Sequence, residues 1–206
     1  MSAQKNLAAI ILSAGYSSRM QDFKPLLTLC GSTIIEKAIS AFVEADIADI
    51  TVVLGNRADD IRQLLERLHI KWTFNADYNL GMFSSVSAGI RSLNSEVEGV
   101  FLLPADIPLV KSSSIRLMIK AYEGSEALVL YPVNRKQRGH PPLISSKLFP
   151  EILTWNGIGG LQKLLERHEN KALEVDVQDE GILLDIDTPD DYEKICSMIK
   201  VHEDRQ

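Results

Sequence analysis

The chain has 206 residues, 45% of them hydrophobic, and a formal net charge of −6 at pH 7. A chain of this length can bury one substantial core, which favours a single domain over two small ones. Acidic and basic residues are mixed along the sequence and form no basic face, which argues against binding to nucleic acid but leaves a mononucleotide open.

The sequence contains no segment typical of export or of membrane insertion. The apolar run at residues 7–12 is shorter than the core of a signal peptide, and no later run approaches bilayer length. Cys30 and Cys196 belong to no CxxC or Cys/His motif, which indicates two free thiols in a reducing compartment. We therefore expect a soluble, cytoplasmic protein that does not bind a membrane.

Short apolar runs alternate with amphipathic segments along the chain. The apolar runs predict buried strands of a parallel sheet at residues 7–12, 50–55, 71–75, 99–104, 126–133 and 181–187. The amphipathic segments predict helices at residues 32–45, 58–69, 84–94, 112–122, 159–168 and 188–201. This alternation predicts a three-layer α/β fold with a mostly parallel central sheet, built as one domain over residues 1–206 with a frayed tail at 201–206.

In open α/β sheets, ligands bind at the carboxyl ends of the strands. Four segments that follow predicted strands carry unusual residues there, namely 13–24, 75–89, 104–108 and 185–191. A functional site is therefore expected where these segments meet.

The segment after the first strand combines small residues with two cations. Gly15 and the serines beside it allow backbone N–H groups to point towards an anion, and Arg19 and Lys24 add positive charge. The segment matches neither GxGxxG nor GxxxxGKS/T, so it lacks the defining residues of dinucleotide-binding and P-loop proteins. By itself the pattern fits both an anion-binding loop and an ordinary loop between strand and helix.

Carboxylates follow two of the predicted strands. Asp106 comes after the run at residues 99–104, where it could hold Mg²⁺ against phosphate oxygens or serve as a turn residue before a proline. Asp185 and Asp187 end the run at residues 181–187, and either could supply a second carboxylate. The alternative for Asp187 is capping of the last helix, where Thr188 stands at the N-cap position.

Five motifs in this order resemble the MobA-like nucleotidyltransferases, and most closely their molybdenum cofactor cytidylyltransferase branch. They are "LSAGYSSRMQDFKPLL", "NADYNLGMFSSVSAGI", "LPADIPLV", "RGHPPLI" and "DIDTPDDY", which together extend from residue 12 to residue 192. The resemblance implies a Rossmann-like nucleotidyltransferase fold.

The resemblance also implies a role for individual residues. Arg19, Lys24 and Asp106 would be catalytic, with Asp106 holding Mg²⁺ together with Asp185 or Asp187. The residues implied for nucleotide binding are Leu12, Ser13, Ala14, Gly15, Ser17, Ser18, Gly81, Ser84 and Ser85. Those implied for the acceptor side are Arg138, His140 and Gly159.

The sequence departs from the family pattern at four positions. Ser13 replaces a usual alanine, and Gln21 and Ala105 replace usual glycines. Ile158 stands where the cytidylyltransferases usually carry an aspartate on the acceptor side. The acceptor is therefore the part of the assignment with the weakest support in the motifs.

The reaction implied by the resemblance is transfer of CMP from CTP to the terminal phosphate of molybdopterin or of its molybdenum-loaded form, with release of pyrophosphate. The protein partner would be a molybdoenzyme or its maturation chaperone. Two alternatives stay open: another phosphorylated acceptor, such as a sugar phosphate or methylerythritol phosphate, and a binding module for nucleotide or molybdenum cofactor that catalyses nothing.

Two smaller features bear on specificity. In this family LAAG is typical of cytidylyl enzymes and LAGG of guanylyl enzymes, so the methyl group of Ala14 in "LSAG" indicates a pocket for a pyrimidine. Arg135, Lys136 and Arg138 fit a rim that attracts an anionic acceptor, but also a solvated loop. His140 fits a role at the acceptor or a local hydrogen bond.

Overall fold

The computed structural model describes residues 5–16, 20 and 22–203. Within these residues the strands are β1 (Leu7–Ser13), β2 (Thr28–Leu29), β3 (Ser32–Thr33), β4 (Asp49–Leu54), β5 (Lys71–Phe74), β6 (Gly99–Pro104), β7 (Val129–Asn134), β8 (Gln137–Arg138), β9 (Leu143–Ser145) and β10 (Ala172–Asp176). The α-helices are α1 (Ile34–Val43), α2 (Ala58–Arg67), α3 (Met82–Ser92), α4 (Ser112–Glu123), α5 (Phe149–Thr154), α6 (Gly160–Glu166) and α7 (Pro189–Glu203).

The central sheet has the strand order β10-β7-β9-β6-β1-β4-β5, and β8 pairs with β7. The pairs β6-β1, β1-β4, β4-β5 and β7-β10 are parallel, whereas β9 runs antiparallel to both of its neighbours. The predicted α/β fold with a mostly parallel sheet is confirmed. The antiparallel β9 was not predicted, because a strand of three residues directly after two prolines shows no periodicity.

Strand β1 lies at the centre and supplies apolar side chains to both faces of the sheet. Leu7, Ala9 and Ile11 belong to the core that α1, α2 and α4 cover, whereas Ala8 and Ile10 belong to the core under α3, α5 and α6. Alternate residues of a strand point to opposite faces, so a continuous apolar run is what a strand covered on both sides requires. The three predicted layers are these two sets of helices and the sheet.

A smaller apolar cluster joins the β2-β3 hairpin to α7. It contains Leu29, Ile34, Ile186 and Ile195, all of them buried. This cluster brings the segment just before α7 close to the segment just after β1, although the two are far apart in sequence. The packing of α7 therefore helps to assemble the carboxyl edge of the sheet.

Two predicted helix starts have the expected caps. Thr33 Oγ1 accepts from the Glu36 backbone N–H at 3.3 Å, and Glu36 accepts from the Thr33 backbone N–H at 2.7 Å, which is a complete capping box. At α7, Thr188 Oγ1 accepts from the Asp191 backbone N–H at 3.2 Å. The cap of the last helix is thus Thr188, which leaves the carboxylate of Asp187 for other partners.

The prediction of a strand at residues 181–187 is wrong. Residues Glu180–Leu183 form a 3₁₀ turn, and the edge strand on that side is β10, which was not predicted. The run resembles a strand in sequence because its residues are apolar. Ile182 is fully buried, as in a strand, but it belongs to the 3₁₀ turn. Strand β10 reads "ALEVD", and its exposed residues hide the apolar pattern of a buried strand.

None of the helices in the described part of the chain is long and apolar enough to cross a membrane. Cys30 and Cys196 are free thiols, both partly exposed.

Candidate active site

The carboxyl ends of β1, β4, β5 and β6 meet at one edge of the sheet, because these strands are parallel and adjacent. In the register of the sheet, Leu12 lies beside both Val53 and Pro104, and Ser13 lies beside Leu54. The predicted site segments therefore converge. Ser17, Ser18, Arg19 and Gln21 lie outside the described residues, so the structure adds nothing to the predictions made for them.

A buried lysine between two carboxylates forms the centre of this edge. Lys24 Nζ lies 3.0 Å from Asp106 Oδ2 and 3.1 Å from Asp187 Oδ1. The Lys24 side chain is only 10% exposed, whereas the two carboxylates are 30% and 28% exposed. The carboxylates are thus partly open to solvent, and the ammonium group lies within hydrogen-bond distance of both.

The backbone fixes the position of both carboxylates. Asp106 follows β6, and its carbonyl accepts from the Ile186 backbone N–H at 2.9 Å, which ties the end of β6 to the residue before Asp187. Of the two candidates for the second carboxylate, the structure brings Asp187 to Asp106. Asp185 is exposed, and its effect on the site is a long-range one, on the pKa of His140.

The first cleft, of about 420 Å³, lies between the end of β1, the Lys24 turn and the loop before α3. Its walls include six of the residues predicted to bind nucleotide: Leu12, Ser13, Ala14, Gly15, Gly81 and Ser85. Lys24 and Asp106 line the same cleft. A volume of this order is typical of small-molecule sites.

Gly15 occupies the wall of the first cleft for a reason that differs from the predicted one. Its φ is not in the left-handed region, so the turn itself does not need glycine. A Cβ atom built at Gly15 has no atom of the described residues within 4 Å, its two chain neighbours aside. The absence of a side chain at Gly15 therefore leaves room in the first cleft for a ligand to approach the backbone.

The loop before α3 is held by a buried asparagine. Asn75 Nδ2 donates to Ser84 Oγ at 2.8 Å and to Ser85 Oγ at 3.0 Å. Ser84 Oγ in turn donates to backbone carbonyls at 2.8 Å, so its hydroxyl is used within the loop and Ser84 does not line the cleft. Gly81, with φ 97° and ψ 177°, provides the turn into α3, a conformation that only glycine adopts readily.

The second cleft, of about 710 Å³, opens directly beside the first and shares with it Leu12, Met82 and Pro104. All three residues predicted for the acceptor side, Arg138, His140 and Gly159, line it. Two contiguous clefts on the two sides of one strand end fit a reaction between two substrates.

Arg138 lines the second cleft, but its charge is already paired. Its guanidinium group donates to Glu174 at 2.7 Å and to Glu169, and it stacks over the ring of Tyr131 with 4.3 Å between Cζ and the ring centroid. Arg135 lies outside this cleft, where it pairs with Glu180 at 3.0 Å. Of the two interpretations of this run, the pairing of these two arginines with glutamates agrees better with the solvated loop than with a rim of free cations.

His140 contributes an uncharged ring to the second cleft. Burial lowers the pKa of His140, and the Leu102 backbone and the carboxylates of Asp106 and Asp185 raise it to a smaller extent. The imidazole is therefore neutral near pH 7.

Two buried side-chain atoms in the described part of the chain have no hydrogen-bond partner, and both lie in the walls of these clefts. They are Ser13 Oγ in the first cleft and His140 Nδ1 in the second. Buried polar atoms are almost always paired, so each of these two atoms is available to a water molecule, an ion or a ligand in its cleft.

An aromatic pair in the first cleft was not predicted. The rings of Tyr16 and Tyr78 lie 5.4 Å apart at an angle of 55°, and both line the cleft. Tyr78 also packs on Gly55, where an added Cβ would lie 2.7 Å from the Tyr78 Cβ and 2.8 Å from the Ala14 Cβ. Nothing in the residue types marks this pair, because tyrosines in loops are common and the contact depends on β4.

The donor set of the site suits a hard divalent cation. Asp106 and Asp187 offer carboxylate oxygens, which Mg²⁺ and Mn²⁺ prefer, and both side chains are partly exposed. Of the two, Asp106 lines the first cleft. In the described ranges there is no cluster of three or more His, Cys, Asp or Glu side chains. The protein alone thus provides an incomplete shell, as is usual where phosphate oxygens of a substrate supply the remaining ligands.

The family model for the MobA-like NTP transferase domain matches residues 9–172 of the chain. The molybdenum cofactor cytidylyltransferase of Escherichia coli (strain K12) is 27% identical over 184 residues, which cover 89% of this chain and 92% of that protein. The bifunctional protein GlmU of Clostridium kluyveri is 30% identical over 140 residues, which cover 66% of this chain and 30% of GlmU.

Solved structures share the fold. The Rv0371c protein of Mycobacterium tuberculosis H37Rv has a TM-score of 0.83 at 22% identity, covering 95% of this chain and 99% of that one. A complex of the same mycobacterial protein with manganese has a TM-score of 0.79 at 22% identity, covering 94% of this chain and 99% of that one.

Proposed function

Since the chain belongs to the MobA-like NTP transferase domain family and is a nucleotidyltransferase, we propose that it transfers CMP from CTP to the terminal phosphate of molybdopterin or of its molybdenum-loaded form. The observation that carries this proposal is the cluster of Lys24, Asp106 and Asp187 beside two contiguous clefts. The first cleft would hold the nucleotide and the second the acceptor.

In the proposed reaction an oxygen of the acceptor phosphate attacks the α-phosphorus of CTP in line with the leaving group. The new O–P bond forms as the bond from the α-phosphorus to the bridging oxygen breaks, and pyrophosphate leaves with that oxygen and its electron pair. A phosphate monoester is largely ionised near neutral pH, with a second pKa of about 6, so the reaction needs no strong general base.

The chain itself contributes position and charge. Lys24 would neutralise the triphosphate, as the resemblance also implies for Arg19, and the absence of a side chain at Gly15 would let the phosphates approach the backbone. Asp106 and Asp187 would hold Mg²⁺, which offsets the charge that develops on the phosphate oxygens. Positioning and charge neutralisation are the main sources of catalysis in phosphoryl transfer. The manganese complex of the structurally similar mycobacterial protein supports a divalent cation in this fold.

The acceptor assignment follows the E. coli relative, which is named for the molybdenum cofactor and which the chain matches over 92% of its length. The second cleft agrees with an acceptor that carries one phosphate. Its arginine is paired and its histidine is neutral, so it offers no free cation for a second phosphate among its described lining residues. Apolar side chains such as Phe83, Leu161 and Leu165 provide most of the remaining surface.

The acceptor is tested by pyrophosphate release with CTP and a panel of acceptors. We expect release with molybdopterin or its molybdenum-loaded form, and no release with a sugar phosphate or with methylerythritol phosphate. Turnover of a sugar phosphate alone would instead align the chain with the GlmU relatives. If the protein binds CTP but does not release pyrophosphate with any acceptor of the panel, it is a binding module.

For the nucleotide we expect CTP with Mg²⁺ to raise Tm more than GTP, ATP or UTP does. Ala14 is buried, and its methyl group lies beside Gly55 and Tyr78, which leaves a narrow floor that suits a pyrimidine. A ligand at about 100 times its Kd stabilises the fold by roughly 2.7 kcal/mol. For a domain of this size each 1 kcal/mol raises Tm by roughly 2–4 °C, so a shift of several degrees is expected.

The measurement is a thermal-shift panel with the four nucleotides, repeated on Ala14→Gly. The variant is expected to lose part of its preference for CTP over GTP, because the floor becomes wider. A larger shift with GTP than with CTP in the parent protein would contradict the cytidylyl assignment. No shift with any nucleotide would contradict the assignment of the first cleft.

A further inference from the structure

We infer that the Lys24 ammonium occupies the metal-binding position of the free protein and leaves it for the triphosphate when the divalent cation binds. This inference rests on the proposed function for the identity of the metal ligands. Its basis is that one buried nitrogen lies 3.0 Å from Asp106 and 3.1 Å from Asp187.

The geometry makes the ammonium and a divalent cation competitors. Lys24 Nζ donates to a carboxylate oxygen of Asp106 and to one of Asp187. A hard divalent cation such as Mg²⁺ would be held by oxygens of the same two carboxylates. Two cations in contact with the same pair of carboxylates repel each other strongly at low solvent exposure. Stable binding of the metal therefore requires the ammonium to withdraw.

The ammonium has a second destination nearby. Lys24 lines the same cleft as the end of β1, where the triphosphate is proposed to lie. The Lys24 backbone is fixed by the 3₁₀ turn Lys24–Leu26, in which the Leu27 N–H donates to the Lys24 carbonyl at 3.1 Å, so the side chain rather than the loop has to move. Movement of Nζ from carboxylate to phosphate keeps every charge paired throughout.

The exchange has a consequence for the order of binding. In the free protein the Lys24 ammonium pairs with both carboxylates, so a metal ion alone has to displace it in order to bind there. When a triphosphate is present, the ammonium can pair with it and release the carboxylates. The metal is therefore expected to enter with the nucleotide rather than before it.

The test measures Mn²⁺ binding to the protein without nucleotide or acceptor, by electron paramagnetic resonance of the free ion. Lys24→Met is expected to bind Mn²⁺ at least about tenfold more tightly than the parent, because the competing charge is gone. The double variant Lys24→Met/Asp187→Asn is expected to lose this gain. In the matched control Lys71→Met, which removes a lysine 2.9 Å from Asp49 at the other edge of the sheet, Mn²⁺ affinity should not change.

Equal or weaker Mn²⁺ binding by Lys24→Met would overturn the inference, and so would a gain that survives in the double variant. Lys24→Met removes the ammonium from between two partly exposed carboxylates, so a second readout covers the case in which the variant does not fold in metal-free buffer. In that case Mn²⁺ should restore its melting transition, and failure to do so also overturns the inference. The titration contains no CTP and no acceptor, so a wrong substrate assignment would leave its result unchanged.

Discussion

Asp106→Asn is expected to lower kcat by about 10²- to 10³-fold, the range found when one preorganised electrostatic group is removed. The amide keeps the shape of the side chain and can still accept from Lys24, but it loses the negative charge that would hold the divalent cation. Because Asp106 is partly exposed and its backbone contact with Ile186 is unaffected, Tm should change little.

The measurement is steady-state pyrophosphate release together with a melting curve. The control is Asp49→Asn, since Asp49 also pairs with a lysine, at 2.9 Å, but at the start of β4 on the opposite edge of the sheet. The control should keep its activity, and its free energy of unfolding should change by no more than about 1 kcal/mol, the usual contribution of an exposed ion pair. Asp106→Asn with activity within a few-fold of the parent and an unchanged Tm would remove Asp106 from the site.

The same assay distinguishes the two candidates for the second carboxylate. Asp187→Asn should impair turnover strongly, because Asp187 shares the Lys24 ammonium with Asp106. Asp185→Asn should have a much smaller effect on turnover, since the Asp185 carboxylate is exposed and its effect on the site is a long-range Coulombic one on the pKa of His140. The reverse order would mean that the segment before α7 rearranges when substrates bind.

The sequence predicted the part of the site that follows strong strands. Asp106 is the second residue after β6, whose six residues match the predicted run. Leu12 and Ser13 end the equally apolar β1, and Ala14 and Gly15 follow it. For these residues the carboxyl-edge rule is sufficient, because a buried parallel strand fixes where the next residues lie. Lys24 was predicted from the same segment as a cation for an anionic ligand, the resemblance to a family added its catalytic role, and the structure places it in the same cleft.

The contacts that depend on irregular backbone were not predictable in this way. Which of Asp185 and Asp187 reaches Lys24 depends on the 3₁₀ turn at Glu180–Leu183. The apolar sequence of this segment had predicted a strand instead. The pairing of Lys24 with Asp187 joins residues 163 positions apart, through the packing of α7 on the β2-β3 hairpin. The neutralisation of Arg138 depends on glutamates from β10 and from the turn before it, and neither element was predicted.

Asp179, which sequence reasoning did not single out, holds the segment that carries Asp187. It is 1% exposed, and its carboxylate accepts from the Lys111 N–H at 2.9 Å, from Ser114 Oγ at 2.8 Å and from the Gly181 N–H at 3.0 Å. Two of these donors belong to the start of α4, so Asp179 serves as a cap supplied from another part of the chain. The Lys111 ammonium, 3.9 Å away, adds a distant countercharge.

We therefore expect Asp179→Ala to lower the free energy of unfolding by about 3–5 kcal/mol, as for other buried charged groups whose partners are left unpaired. For a domain of this size the corresponding fall in Tm is about 10 °C. The measurement is urea unfolding with a parallel melting curve. The control is Asp176→Ala, because Asp176 is exposed and accepts one N–H, from Gln178 at 3.2 Å, so its loss should change stability by about 0.5 kcal/mol or less.

The variant Asp179→Asn separates the effect of charge from that of hydrogen bonding. Its amide oxygen can still accept a hydrogen bond, but an NH₂ group, which only donates, replaces the other carboxylate oxygen. It would then face N–H groups with an NH₂ group, so we expect it to fall between the parent and Asp179→Ala in stability. If Asp179→Ala instead has the same free energy of unfolding and the same Tm as the parent, the burial of Ile182 alone would hold the turn at Glu180–Leu183. The position of Asp187 beside Lys24 would then depend on apolar packing rather than on this buried carboxylate.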